Sequence, residues 1–118
     1  MSTPQITELR YERSRRTLVC SFAGGETFEL DAEYLRTHSP SAEVRGHGLS
    51  EPKLLTGKEN VDIRSIEPIG TYAVALHFDD GHRTGIYSWE FLYDLGRNMA
   101  AYKDRYRERL AASGLTDD

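Results

Sequence analysis

The chain has 118 residues, 38% apolar and 29% charged, with 15 lysines and arginines against 19 aspartates and glutamates, a net charge of −4. One domain with a single core is expected at this length. The acidic balance argues against generic nucleic-acid binding, the lone Cys20 excludes an intramolecular disulfide, and no uncharged apolar run nears the ~20 residues that span a bilayer.

The opening MSTPQ is polar and leads into no apolar stretch of the signal-peptide kind. A cytoplasmic protein with neither a nucleic-acid nor a membrane partner is therefore expected. Ile6 and Leu9 begin a short apolar segment that the polar run ERSRR, Glu12 to Arg16, interrupts. Thr17 to Phe22 reads as a strand, Gly24-Gly25 as a hairpin turn, and Thr27 to Leu30 as the returning strand. Asp31 can cap a short helix, AEYLRTH, with Tyr34 and Leu35 facing inward. Cys20, inside LVCSF, reads as a small core hydrophobe.

His38 to Asn60 follows, with three glycines, two prolines and few apolar residues. A stretch that long and polar is more than a connector needs in so small a domain. Ile63 and Ile66 then lead to AVALHF, the turn Asp79-Asp80-Gly81, and a second run at Ile86-Tyr87. Ser88 is placed to cap a helix, with Glu90 in its first turn. Phe91, Leu92 and Leu95 share one face, Trp89 is expected to be largely buried, and Gly96 reads as the helix stop.

The two halves have the same order. Ile6/Leu9, LVCSF, GG, FEL and DAEYL run parallel to Ile63/Ile66, AVALHF, DDG, GIY and SWEFL. The predicted fold class is α+β: two β-β-β-α units with five or six strands in all, in one antiparallel sheet or a small two-layer sandwich. Residues 1–96 form the domain, and 97–118 a C-terminal helix with a frayed tail. In that helix Leu95, Met99, Tyr102, Tyr106 and Leu110 recur at helical spacing. Five basic residues between Arg97 and Arg109 stand against Asp104 and Glu108.

Several patterns invite a chemical reading. His38, His47 and His82 supply three possible ligands for zinc if the chain brings them together; loop histidines in solvent are the plainer alternative. His77-Phe78-Asp79 matches the H-x-D of an iron site but lacks the larger barrel such a site needs. The serines have no nucleophile-elbow context, Cys20 lies in a strand rather than at a helix N-terminus, and RGHG does not make a phosphate loop. Arg10, Arg13, Arg15 and Arg16 around Tyr11 have the composition of a single-strand binding surface, though a solvated charged face explains them equally.

The segments LRTHSPSAEVRGHG and DDGHRTGIYSWEFLYDLG carry a family resemblance over roughly Ile6 to Gly96. The chain resembles bacterial stand-alone domains of unknown function that are similar to the N-terminal domain of γ-butyrobetaine hydroxylase and trimethyllysine hydroxylase. In those hydroxylases the domain precedes an iron- and 2-oxoglutarate-dependent oxygenase and binds a structural zinc, through C-x-C-x-x-C and a histidine of the second hairpin. Related domains are fused to ATPases that carry iron–sulfur clusters. The cysteine positions fall here on Ser39, Ser41 and Val44, and only the histidine is kept, as His82. The resemblance thus implies the fold but neither the zinc, nor a cofactor, nor the catalytic domain. It implies a non-catalytic accessory or interaction domain, serving iron–sulfur cluster assembly or an oxygenase in trans. The alternative is a small metal-binding protein or enzyme using the loop histidines. A protein partner is expected to meet Arg36, Ser39, Ser41, Glu43, Arg45, His47 and His82. On that expectation Arg45→Ala with His82→Ala removes binding and leaves the fold in place.

Overall fold

The computed structural model describes residues 4–39, 57–82 and 85–113. Strand β1 (Ile6–Glu12), a 3-10 turn (Arg13–Arg15), β2 (Thr17–Phe22), β3 (Thr27–Asp31) and helix α1 (Ala32–Thr37) make the first unit. The second is β4 (Ile63–Ile69), β5 (Ala73–Phe78), β6 (Ile86–Ser88) and α2 (Trp89–Arg97), followed by α3 (Met99–Ser113). The six strands form two three-stranded antiparallel sheets, β1-β2-β3 and β4-β5-β6, as an α+β protein of two β-β-β-α units should.

The repeat extends to backbone detail. Ile6 faces Phe22 in the first unit and Ile63 faces Phe78 in the second, and after each pair the register slips by one residue. Both hairpins turn three residues past the phenylalanine on a glycine of positive φ, +98° at Gly25 and +94° at Gly81, which a side chain would strain. The glycine N–H returns to the phenylalanine carbonyl in each, at 3.0 and 3.2 Å. Both helices start on an N-cap oxygen that accepts from the third residue on: Asp31 from the Tyr34 N–H, Ser88 from the Phe91 N–H.

Alternation decides which residues of each central strand meet the shared core, although Thr17, Val19, Ala73 and Ala75 on the opposite faces are buried as well. Leu18, Cys20 and Phe22 on β2, with Val74, Leu76 and Phe78 on β5, meet in one core. Leu30, Leu35, Ile63, Tyr87, Leu92 and Leu95 complete it. Two tyrosine hydroxyls cross it: Tyr34 donates to the Leu95 carbonyl (2.7 Å) and Tyr87 to that of Leu35 (2.6 Å), tying each unit's helix to the other unit. Burial pushes the Cys20 thiol up to about 12, in keeping with a packing role. Helix α3 adds Met99 and Tyr102 to the core margin and buries Leu110.

Two expectations need correcting. Trp89 is only partly buried. It opens the helix at the margin of the core, where its indole N–H donates to the Thr71 carbonyl (2.8 Å) and its backbone N–H to that of Tyr72 (3.1 Å). Gly96 does not stop α2, which runs on to Arg97 and is capped at Asn98. Its missing side chain leaves room for Phe28, as a Cβ there would lie 2.8 Å from the Phe28 Cβ and closer still to its ring.

Candidate functional site

The hairpin turn of the second unit gathers three of the residues singled out in the sequence. Asp80 Oδ1 accepts from the His82 backbone N–H (3.1 Å), while Oδ2 accepts from Arg36 Nε and Lys58 Nζ, each at 2.8 Å. Burial alone would raise the Asp80 carboxyl. Lys58, the His82 amide and Arg36 outweigh it and hold the group well below the usual carboxylate range. The Arg36 side chain is 11% exposed, and its Nη1 has no hydrogen-bond partner among the described residues. Beside this cluster Ser39 Oγ and His82 Nε2 share a buried hydrogen bond of 3.1 Å. Gly85 permits that approach, since a Cβ there would run into Ser39 Oγ and stand 3.0 Å from the Tyr87 ring.

Arg36, Ser39 and His82 are therefore brought together, but to bind one another's neighbourhood within the domain. Ser39 and His82 are buried, and Arg36 is tied to Asp80. Ser41, Glu43, Arg45 and His47 lie outside the described residues. The zinc set of the related hydroxylases does not fit this chemistry. The hydroxyl at the first cysteine position bonds the His82 nitrogen that faces it, and serine is not among the usual zinc ligands. No group of three His, Cys, Asp or Glu side chains is arranged for a metal among the described residues. His38 engages elsewhere, with Nδ1 3.0 Å from the Tyr34 carbonyl and its ring stacked on Tyr102 at 6.1 Å.

Two predictions arise here. His82→Ala should lower stability by about 1–2 kcal/mol, because it leaves a buried hydroxyl without its imidazole partner. A urea midpoint unchanged from wild type would show the Ser39–His82 bond to be idle. The predicted loss departs from the expectation that this substitution spares the fold. Treatment with EDTA should leave the melting temperature where it was. A structural zinc supplies much of the folding free energy of domains that depend on it, so a fall of many degrees, with stoichiometric zinc found beforehand, would revive His38, His47 and His82 as ligands.

Three of the four arginines near the N-terminus are also engaged. Arg10 pairs with Glu8 and Glu12, Arg15 with Glu12 and Glu29, and Arg13 donates to the Ile63 carbonyl. A cleft of about 190 Å³ between α1 and α3, which no local pattern announced, is lined by Tyr34, His38, Tyr106 and Leu110. Lys103 occupies its charged corner, 2.6 Å from Asp31 Oδ1 and 5.4 Å from the centre of the Tyr34 ring.

The sequence reading missed the outer faces of the sheets. Residues directly opposite one another share a face. On the first sheet the outward rows are Arg10, Val19, Glu29 and Glu12, Thr17, Asp31. The matching rows on the second are Glu67, Ala75, Ile86 and Ile69, Ala73, Ser88. Where the first sheet puts Glu12 and Glu29 under an arginine network, the second puts isoleucines. Ile86 is 49% exposed, and Tyr72, in the β4–β5 turn at the end of that face, 59%. Aligning the two repeats would have revealed the exchange.

Residues 9–93 match the family described as gamma-butyrobetaine hydroxylase-like, N-terminal. No curated protein matches the chain. Among solved structures, one determined by NMR in solution is 50% identical over 98% of this chain and 86% of its own, with a TM-score of 0.84. A second NMR structure is 38% identical over 99% and 92%, with a TM-score of 0.85. A crystal structure from Acidithiobacillus ferrooxidans, of a protein of unknown function in the DUF971 family, is 39% identical over 78% and 92%, with a TM-score of 0.66.

Proposed function

We propose that this chain, which belongs to the family of gamma-butyrobetaine hydroxylase-like N-terminal domains, acts as a non-catalytic protein-interaction domain. One observation carries the reading: of two sheets built to the same plan, one covers its outer face with paired charges, while the other leaves Ile86 on its edge strand and Tyr72 in its first turn exposed to water. Exposed apolar surface tends to be removed from water, and a rimmed apolar patch marks a place where another molecule sits. The Arg36–Asp80–Lys58 cluster and the Ser39–His82 bond fit this role as fasteners of the second hairpin. They hold the turn between β5 and β6 to α1 and to Lys58.

The working place is the cytoplasm, and the partner is a protein rather than nucleic acid, in line with the net charge of −4. No helix among the described residues is long and apolar enough to cross a membrane. Kinship with hydroxylase N-terminal domains adds the finer reading that the partner belongs to iron–sulfur cluster assembly or is an oxygenase acting in trans.

The test uses Ile69→Glu with Ile86→Glu, which gives the second sheet the residues of the first. Both positions point away from the core, so stability should fall by no more than about 1 kcal/mol. Wild-type protein cross-linked in native cytoplasm should retain one dominant partner, identified by mass spectrometry, and the folded double variant should lose it. Equal recovery by both proteins would remove the apolar face from the interaction.

A further inference from the structure

We infer that the cleft between α1 and α3 receives an aromatic side chain from an acidic segment of the partner protein, with the carboxylates of that segment lying along α3. The inference rests on the reading of this chain as an interaction domain. It adds a second contact, one that uses neither Ile86 nor Tyr72, and states its chemistry.

The walls argue for a ring rather than an ion. The cleft holds about 190 Å³, and a cavity of about 150 Å³ is enough for one benzene ring. Tyr34, His38 and Tyr106 supply aromatic walls and Leu110 an aliphatic one. Tyr34 and His38 lie 4.7 Å apart and His38 and Tyr106 6.1 Å apart, both tilted, within the range at which aromatic pairs attract. A further ring extends that cluster. The two charges beside these rings answer each other: Lys103 Nζ is 2.6 Å from Asp31 Oδ1 and lies over the Tyr34 ring. Neither calls for a counter-ion, so a neutral ring enters at less cost than a charged group.

The rims decide what stands beside the ring. Arg97 to Arg109 hold five basic residues against Asp104 and Glu108, in a chain whose net charge is −4, so α3 is the positive part of an acidic protein. Arg107 lines the cleft from that helix; its side chain is 67% exposed and pairs with Asp104 at 3.0 Å. Glu33 lines it from the side of α1. Aspartate or glutamate next to the ring is therefore favoured along α3 and disfavoured along α1, which gives the bound segment one direction. An aromatic anchor in a pocket with charges at its rim is also the arrangement that concentrates binding energy in few residues. One wall of the cleft, α3, lies beyond residues 9–93 that match the family, so the family description assigns the cleft no role.

The experiment uses the full chain and three short synthetic peptides. The first has a central phenylalanine flanked by glutamates. In the second alanine replaces the phenylalanine, and in the third lysines replace the glutamates. Amide shifts in nitrogen-15 spectra locate binding, and their titration gives the affinity. The first peptide should saturate and shift the amides of residues 34, 38, 106 and 110. The alanine peptide, the lysine peptide, and the first peptide on Arg107→Glu protein should each bind about tenfold weaker or more. Equal affinity of the first two peptides would mean that charge alone attracts them, and would overturn the inference. So would shifts centred elsewhere on the chain, or a single-stranded oligonucleotide that binds the same residues more tightly than the first peptide. Self-association in sedimentation that Arg107→Glu abolishes would make the occupant a second copy and refute it too. If Ile69→Glu/Ile86→Glu protein loses its cytoplasmic partner while no peptide binds, the cleft contact is refuted and the interaction reading stands. If the first peptide binds as expected while that variant and wild type recover their partners equally, the sheet face is refuted and the cleft contact stands.

Discussion

Gly96→Ala is expected to destabilise the domain by about 2–3 kcal/mol, although alanine is the better helix former by about 1 kcal/mol. Two effects of opposite sign compete. Within α2 the methyl group reduces the entropy lost on folding. Against β3 it must share space with Phe28, whose Cβ would stand 2.8 Å away and whose ring is closer. Phe28 cannot readily yield. It is tilted against Phe22 at 5.9 Å and edge-on to Tyr93 at 5.7 Å, so moving it disturbs an aromatic cluster that seals this side of the core. Thermal or urea denaturation measures the net effect. A Tm above wild type would mean that propensity wins and the contact is soft. Phe28→Leu in the Gly96→Ala background gives an independent reading. If the clash is the cause, the pair should be less unstable than the sum of the two single changes.

Asp80→Ala should cost a similar amount, about 2–3 kcal/mol. Breaking a buried ion pair by removing one partner costs 3–5 kcal/mol because a charge is left uncompensated. The Asp80 side chain is 21% exposed, which lets water offset part of that. The loss falls on Arg36, whose Nε would join Nη1 in having no acceptor, and on Lys58, left beside a like charge. Asp80→Asn separates the contributions, since it keeps an oxygen for the His82 N–H while removing the charge. Acid should act in the same direction. The folded state holds the Asp80 carboxyl below its ordinary value, so between the two values the unfolded chain binds more protons. Its stabilisation is complete above the unfolded carboxylate pKa of about 4 and is lost as pH falls further. Wild type should thus lose more stability than Asp80→Asn from neutral pH to about pH 2. Parallel pH profiles, together with an unchanged midpoint at neutral pH for Asp80→Ala, would reduce the cluster to surface decoration.

Local features of this protein were legible in its sequence because their causes are local. A strand that alternates Leu18, Cys20, Phe22 with Thr17, Val19, Ser21 announces which face meets the core wherever it sits. Gly25 and Gly81 mark their turns through a positive φ that other residues avoid, and Asp31 and Ser88 mark helix starts by the oxygen they offer two or three residues on. The repeat is the sum of such signals, so it too could be read without a structure. Whether six strands made one sheet or two could not, since pairing between units depends on surfaces and not on spacing.

The site residues divide along the same line. That Ser39 and His82 stand at zinc-ligand positions of related domains followed from the family resemblance, but that they bond each other across 43 residues of chain was settled by how the end of α1 meets the second hairpin. Arg36 and Asp80 are likewise 44 residues apart, a separation that carries no distance until the core has formed. Gly96 was misread for the same reason: a glycine near a helix end is a common stop, and only the approach of Phe28 from the other unit shows what its hydrogen is for. The apolar outer face belongs half to each side. Register made Ile69 and Ile86 neighbours of Ala73 and Ala75, which sequence could supply, but hydrophobicity along a strand does not say whether another layer covers it. Only the packed chain shows Ala73 and Ala75 buried and Ile86, 49% exposed, left at the edge of that face.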